Sequence, residues 1–359
     1  MPTIGLLKVF VVFSSVVLLS ACQPAAESLW QDYLQRLERL TEQTMPTADA
    51  TALQRYPRPR DLRQPVPELR TGLRRYFNLS DCDMMNMVSE RNSSLGRVQV
   101  PSLRFAYELE FINRSSDCLA DDRLADNEDQ QAWLADINRL KRESLPALYW
   151  NATVASDEMA SFFTTTAQAP TSEELAGRSA LSVHLASVAR LGAQLQSDTL
   201  PKGVGTLESD LAQLSRANTG GSILKGLALA ERDLRRAAIM LEQVDTERLC
   251  PRQRPGQQAR YLQNVFISIY GERVQPWLAQ LYRASDELSQ SVQQLYDHWD
   301  VDSPAFDAWY AHHFDQQQGL SALFQEAMMR HTQAWQQLLE ACRLQPGSGA
   351  GQVQLNDRD

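Results

Sequence analysis

The strongest constraint on the fold is an apolar repeat in alternate steps of four and three residues. Over residues 257–299 its positions are Val274, Leu278, Leu281, Ser285, Leu288, Val292, Leu295 and Trp299. From residue 303 onward the positions are Phe306, Tyr310, His313, Leu320, Phe324, Ala327, His331 and Leu338. This spacing places one face of a helix against a neighbouring helix. Since alternation of the kind found in strands is nearly absent, the sequence predicts an all-α protein.

The repeat also indicates how the chain is divided. We expect a long up-down-up three-helix bundle over residues 206–345, with helices at about 206–248 and 257–299 and a third beginning at Ser303 and Pro304. The first of these helices is expected to break near Asn-Thr-Gly-Gly-Ser at 218–222. Residues 22–205 predict a region of antiparallel helical hairpins. Within it, prolines in a Pro- and Arg-rich strap at 45–68 disfavour a helix. Residues 346–359 predict a flexible tail.

The N-terminal residues predict export and lipid attachment. An apolar run at 9–19 is about half of the ~20 residues that cross a bilayer as a helix, so it is typical of a signal peptide at residues 1–21. Leu-Ser-Ala-Cys at 19–22 matches the bacterial lipobox, in which the Cys22 thiol receives a diacylglycerol. Because Gln23 is not the aspartate that retains many such lipoproteins at the inner membrane, we expect an outer-membrane anchor with the body facing the periplasm.

Export to an oxidising compartment favours disulfides among the four remaining cysteines, which allow three connectivities. In an up-down-up bundle the third helix returns to the level at which the first one ends. This geometry favours a pair between Cys250 and Cys342. By the same reasoning we expect Cys82 and Cys118 to close a smaller helical hairpin.

The net charge indicates which partners are excluded. The chain has 35 basic and 44 acidic residues, a net charge of −9, which argues against binding of nucleic acid. One stretch, residues 55–75, is instead rich in arginine, whose guanidinium suits carboxylates and phosphates. The expected contacts to an anionic lipid headgroup or acidic partner are Arg55, Arg58, Arg60, Arg63, Arg70, Arg74 and Arg75. Pairing within the chain, with the acidic residues at 121–129, is the favoured alternative.

Motifs for catalysis are weak. Ser222 and Lys225 fit the Ser-x-x-Lys pattern of penicillin-recognising enzymes, but no Lys-Thr-Gly follows. His298 and His312 would lie ~13 Å apart on the predicted hairpin, too far for one zinc ion. A structural role is favoured for the histidines, including His184. The sequence therefore predicts no catalytic residue, metal site or cofactor.

Together with the lipobox, two segments of the chain resemble a known protein family. They are "QRYPRPRDL" at 54–62 and "DCDMMNMVSERNSSLGRVQVPSLRFAYELEFI" at 81–112. The chain resembles a family of gammaproteobacterial envelope lipoproteins of unknown function. The resemblance implies an envelope lipoprotein and supplies no catalytic residue. We expect a lipid-anchored scaffold or accessory protein that binds an envelope protein; the alternatives are a hydrolase of cell-wall or lipid material and a carrier of a small ligand.

Overall fold

A computed structural model of the chain describes residues 26–345, apart from residues 70, 71, 122, 178, 198 and 297–300. The described residues contain helices and connecting segments and no β-strand, which confirms the predicted all-α class. The signal peptide, Cys22, Arg70, His298, Trp299 and the tail lie outside the described residues.

Helices account for most of the chain from its first described residue. The first set comprises α1 (Ala26–Thr41), α2 (Pro59–Leu62), α3 (Leu73–Phe77), α4 (Met85–Asn92), α5 (Ser94–Arg97), α6 (Pro101–Ala120), α7 (Glu128–Glu143), α8 (Leu145–Ala152), α9 (Asp157–Phe162), α10 (Ser172–Ala176) and α11 (Ser179–Leu195), with a 3-10 helix at Asn78–Cys82. The second set comprises α12 (Leu207–Ala217), α13 (Thr219–Glu242), α14 (Thr246–Leu249), α15 (Gln257–Asn264), α16 (Gln275–Tyr296), α17 (Pro304–Phe314) and α18 (Leu320–Ala341), with a 3-10 helix at Pro251–Gln253 and a π-helix at Val265–Val274.

The apolar repeat of the second long segment is buried as the spacing predicts. Its described positions from Val274 to Leu295 are each at most 5% exposed. α15, the π-helix and α16 follow one another without a break over residues 257–296. Residues that recur with the helical period share one face, and this face packs into the core.

The other two long segments are each divided. Asn218 takes left-handed backbone angles (φ 48°, ψ 24°) between α12 and α13, inside the stretch where a break is predicted. The third segment is two helices instead of the expected one, because the chain turns between Phe314 and Leu320. In that turn the Asp315 carboxylate accepts hydrogen bonds from the backbone N–H groups of residues 317 and 318, at 2.9 and 2.7 Å. Ser303 precedes α17, but its side chain makes no capping hydrogen bond.

Packing joins early and late helices. α13 packs along α18 and against α16, α1 packs on α13, and α11 packs on α12 and α16. The main core takes side chains from all of these helices and from α8, including Trp30, Tyr149 and Leu234, which are fully buried. The predicted boundary at residue 205 and the up-down-up order stay predictions, and the core spans both sides of that boundary.

A smaller second core lies within residues 72–143, which we name the small unit. Its buried residues are Leu79, Cys82, Met84, Val88, Phe111, Cys118, Leu124 and Leu134. The structure contains both predicted disulfides, Cys82–Cys118 in the small unit and Cys250–Cys342 at the end of the bundle, with Cα separations of 5.5 and 5.3 Å. α6 belongs to both cores, since Phe105 and Ile112 face the main core while Phe111 faces the small one.

Residues 45–68 cross the bundle as an irregular segment that contains only α2. The Tyr56 hydroxyl donates to the Val154 carbonyl at 2.8 Å, and the Trp150 indole N–H donates to the Leu62 carbonyl at 2.8 Å. The Tyr56 ring stacks on Phe163 at a centroid distance of 5.5 Å. The two hydrogen bonds satisfy polar groups in and beside a segment that has few helical hydrogen bonds of its own.

Candidate binding cleft

A cleft of about 600 Å³ opens in the small unit, bordered by α4, α5, α6 and α7. This volume lies in the range of about 300–1,000 Å³ that small-molecule sites occupy. Four cationic side chains line it: Arg91, Arg97, Arg104 and Lys141. Two carboxylates, Glu68 and Glu108, line it as well. Asn92 and a set of apolar and aromatic residues complete the lining, namely Pro67, Leu69, Leu79, Val88, Tyr107, Phe111, Trp133 and Ile137.

A tight turn positions the first two cations. The Ser93 hydroxyl accepts the Gly96 N–H at 3.0 Å and caps α5. A Cβ at Gly96 would lie 2.3 Å from the Glu90 carbonyl oxygen, so the turn requires glycine here. Arg91 Nη1 donates to the Gly96 carbonyl at 2.6 Å, and Arg97 Nε donates to a backbone carbonyl at 3.1 Å. Within the described residues neither guanidinium has a carboxylate partner, so their charges are not neutralised.

The other two cations share one carboxylate. Glu108 is buried on α6, forms an ion pair with Lys141, and lies 4.0 Å from Arg104 Nε. The Lys141 ammonium also lies 4.6 Å from the centre of the Phe111 ring, a cation–π distance. Burial raises the pKa of Tyr107, so its phenol is neutral at physiological pH. The uncompensated positive charge is therefore concentrated at Arg91 and Arg97.

Exposed apolar residues are concentrated in the same part of the chain. Of the twelve large apolar residues that are exposed in the described chain, seven lie between residues 69 and 103. They are Leu69, Leu73, Phe77, Leu95, Val98, Val100 and Leu103. Leu95 and Val98, beside the two arginines, are 80% and 76% exposed. We name Leu95, Val98, Val100 and Leu103, which are close in the chain to the cleft residues Arg97 and Arg104, the apolar rim. Exposed apolar patches of this kind indicate an interaction site.

The arginines that the sequence predicts as anionic contacts are only in part near this cleft. Arg58 and Arg60 pair with Asp61 at 2.7 and 3.7 Å. The Arg75 guanidinium lies 5.6 Å from the ring centre of Trp133, which lines the cleft. The remaining described members, Arg55, Arg63 and Arg74, are exposed and form no ion pair with any described residue.

Pairing of this stretch with the acidic residues at 121–129, which the sequence favours, is not seen among the described residues. Arg123 instead pairs with Asp121 and Asp83, at 3.0 and 3.4 Å. On α7, the Gln130 amide donates to the Arg75 carbonyl at 3.2 Å. Anionic contact by the seven arginines stays a prediction.

The groups that the sequence offers for catalysis do not form a site. The Ser222 hydroxyl donates to the Gln168 carbonyl at 2.8 Å, and Lys225 is exposed. His313 and His331 are fully buried, and burial lowers their pKa values to about 4 and about 3. In the described part of the chain, no three metal-ligating side chains come together.

The sequence analysis missed one acid–base pair. His184 Nδ1 lies 2.6 Å from Asp210 Oδ1, and this buried carboxylate also accepts the Thr206 hydroxyl at 2.7 Å. In a catalytic triad the second ring nitrogen of the histidine bonds a nucleophile. Among the described residues no hydroxyl or thiol bonds Nε2 of His184, so the pair orients the imidazole without forming a triad.

The cleft cations were also missed, because they come from separate helices. Arg91 and Arg97 lie on α4 and α5, Arg104 on α6 and Lys141 on α7. Along the chain they show no spacing that indicates a site. The sequence signal that could have indicated this site is the apolar rim. Its four apolar residues lie beside a turn and do not follow the helical period of the neighbouring segments.

Comparison with known proteins assigns the chain to a family. The family model described as "Protein of unknown function (DUF3080)" matches residues 30–346. The chain belongs to the DUF3080 family. The matched range includes both disulfides and every residue of the cleft, so the cleft is part of the DUF3080 domain. The comparisons with curated proteins and with solved structures gave no match. No helix in residues 26–345, outside the gaps named above, is long and apolar enough to span a membrane.

Proposed function

We propose that this DUF3080 protein is a lipid-anchored, non-enzymatic binding protein of the bacterial cell envelope, which holds another envelope component at the cleft and its apolar rim. The observation that carries the proposal is the coincidence of uncompensated cations with exposed apolar side chains in one small unit. Leaving Leu95 and Val98 in water is unfavourable for a protein without a partner. A partner that covers them removes this cost.

Binding accounts for the arrangement of polar groups better than catalysis does. Hydrolysis needs a nucleophile or activated water beside a base, with donors for the developing charge. The cleft provides cations, aromatic rings and two carboxylates, of which Glu108 is in an ion pair with Lys141. Ser222, His313 and His331 are engaged or buried elsewhere. The cleft therefore has the groups for recognition without a reacting pair.

The anchor and the location rest on sequence patterns and on the disulfides. The lipobox ending at Cys22 supports acylation there, and Gln23 supports an outer-membrane anchor with the body in the periplasm. Two disulfides fit an oxidising compartment. α1 begins at Ala26, four residues after Cys22, so an acylated Cys22 would hold the start of α1 within about 14 Å of the lipid.

Two measurements in living cells test the proposal. Mass spectrometry of the mature chain should find an acylated Cys22 as the first residue. A photo-crosslinking amino acid at Val98 should capture a defined envelope component, while the same group at Val183, which is 58% exposed and lies on α11, should not. An unmodified N-terminus contradicts the anchor, and equal capture at both positions contradicts the cleft as the binding surface.

A further inference from the structure

The charge of the cleft region indicates an anionic ligand. Four cationic side chains and two carboxylates line the cleft, in a chain whose net charge is −9. Each guanidinium has five N–H donors. The contacts described for Arg91 and Arg97 use one backbone carbonyl each and no carboxylate. Both retain donors for the oxygens of a phosphate or carboxylate.

The apolar part of the lining indicates that the ligand is not a simple anion. Phe111 and Trp133 line the cleft with the cations. Leu95 and Val98, on either side of the lining residue Arg97 in the chain, are exposed. If the ligand were a hydrophilic anion, these apolar side chains would stay exposed to water. If it were purely apolar, it would exclude water from the arginines without offering them a hydrogen-bond acceptor. A molecule with an anionic head and an alkyl chain satisfies both parts.

We propose that the cleft binds an anionic amphiphile, with the head group held by Arg91 and Arg97 and the alkyl chain against the rings and the apolar rim. This rests on the proposed function, because it names the chemistry of the envelope component. Such a head and chain could belong to a lipid within a bilayer or to a single amphiphile taken out of it. The two sources have the same chemistry. Only in the second case does the cleft bind a single amphiphile dissolved in water.

The first experiment uses single amphiphiles and the mature chain with Cys22→Ser, so that no acyl group of its own competes. Titration calorimetry with dodecyl phosphate below its micelle concentration should show saturable binding. Decyl phosphate should bind about 15-fold more weakly, because each buried methylene is worth about a fourfold change. Inorganic phosphate and dodecyltrimethylammonium should not bind measurably.

Matched variants locate the site. The Arg91→Gln, Arg97→Gln double variant and the Leu95→Ser, Val98→Ser double variant should each weaken binding at least tenfold. The control pairs are Arg254→Gln with Arg260→Gln and Val183→Ser with Met329→Ser; all four residues are exposed and lie outside the cleft lining. Both control pairs should bind as the unaltered protein does. Circular dichroism should show the same helical signal for all variants.

Sedimentation with vesicles separates the two sources. If the site recognises a lipid within a bilayer, the protein binds phosphatidylglycerol vesicles and does not bind phosphatidylcholine vesicles. Both cleft variants then lose this binding. If it takes a single amphiphile, dodecyl phosphate binds and vesicles of either lipid do not. No binding in any arm, or binding that the cleft variants leave unchanged, overturns the proposal. A protein captured at Val98 in cells would then leave the proposed function standing without this ligand.

Discussion

Acid should destabilise this protein at a pH above the range in which carboxylates titrate, because two histidines are buried as neutral rings. Burial lowers the pKa of His313 to about 4 and that of His331 to about 3, from an ordinary value of 6.5. The hydrogen bonds of His331 agree with a neutral ring. Trp335 Nε1 donates to the Tyr33 hydroxyl at 2.8 Å, which leaves the hydroxyl proton to be donated to His331 Nε2 at 2.7 Å. A ring nitrogen that accepts carries no proton.

The magnitude follows from the difference in proton binding. The unfolded chain keeps pKa values near 6.5 for both histidines, so below pH 6.5 it binds more protons than the folded chain does. Stability is therefore complete above pH 6.5 and is lost as the pH falls towards the folded-state pKa values. Between pH 7.5 and 5, each histidine should lower the free energy of unfolding by about 2 kcal/mol, and the two together by about 4 kcal/mol. Ordinary carboxylates contribute little above pH 5.

Urea unfolding across this pH range, with the disulfides intact and circular dichroism as the signal, measures the loss. His331→Gln should reduce the loss to about 2 kcal/mol, because an amide oxygen accepts the Tyr33 hydrogen bond without titrating. His313→Gln should likewise reduce the loss to about 2 kcal/mol, because burial lowers the pKa of His313 to about 4. A loss below about 1 kcal/mol in the unaltered protein refutes the reasoning.

Three further substitutions test the packing, each by comparing urea unfolding with the unaltered protein. Gly221→Ala should cost about 3 kcal/mol, because its Cβ would lie 2.0 Å from the backbone oxygen of Thr164, whereas Gly203→Ala meets nothing within 4 Å and should change stability by less than about 0.5 kcal/mol. Tyr56→Phe should cost about 1–3 kcal/mol, because a buried carbonyl loses its 2.8 Å donor. The Cys250→Ser, Cys342→Ser double variant should cost about 4 kcal/mol, because it removes a bridge between cysteines that are 92 residues apart. An unchanged midpoint of urea unfolding would show that the bridge adds no stability.

The fold was predictable where burial follows one helical period. From Val274 to Leu295 the spacing identifies the buried face without any knowledge of the partner helix. The same spacing did not reveal the turn between α17 and α18. His313 and Leu320 are seven residues apart, as they would be in a continuous helix, and both are buried. The turn depends on hydrogen bonds that the Asp315 carboxylate accepts from the backbone N–H groups of Gln317 and Gln318, and an apolar repeat does not indicate such bonds.

The candidate site was less predictable, because proximity in the chain and proximity in space differ there. The arginines at 55–75 are close together in the sequence, but two of them form ion pairs with Asp61. Among the described residues of this stretch, only Arg75 contacts an aromatic ring that lines the cleft. The cleft cations are up to 50 positions apart, from Arg91 to Lys141. Packing of α6 against α7 brings Arg104 and Lys141 together, and contact between α4 and α5 does the same for Arg91 and Arg97.

α6 determines how the cleft is held relative to the bundle. Phe105, Leu109 and Ile112 on this helix are buried in the main core, while Phe111 and Cys118 are buried in the small one. The Asn138 amide of α7 donates to the Ile112 carbonyl at 2.9 Å and fixes the second wall of the cleft to the same helix. Because moving α6 would expose apolar surface in both cores, the cleft is carried as a rigid face of the bundle. A site on a rigid backbone binds without the cost of ordering that backbone, and so the cleft is suited to a partner that comes to it.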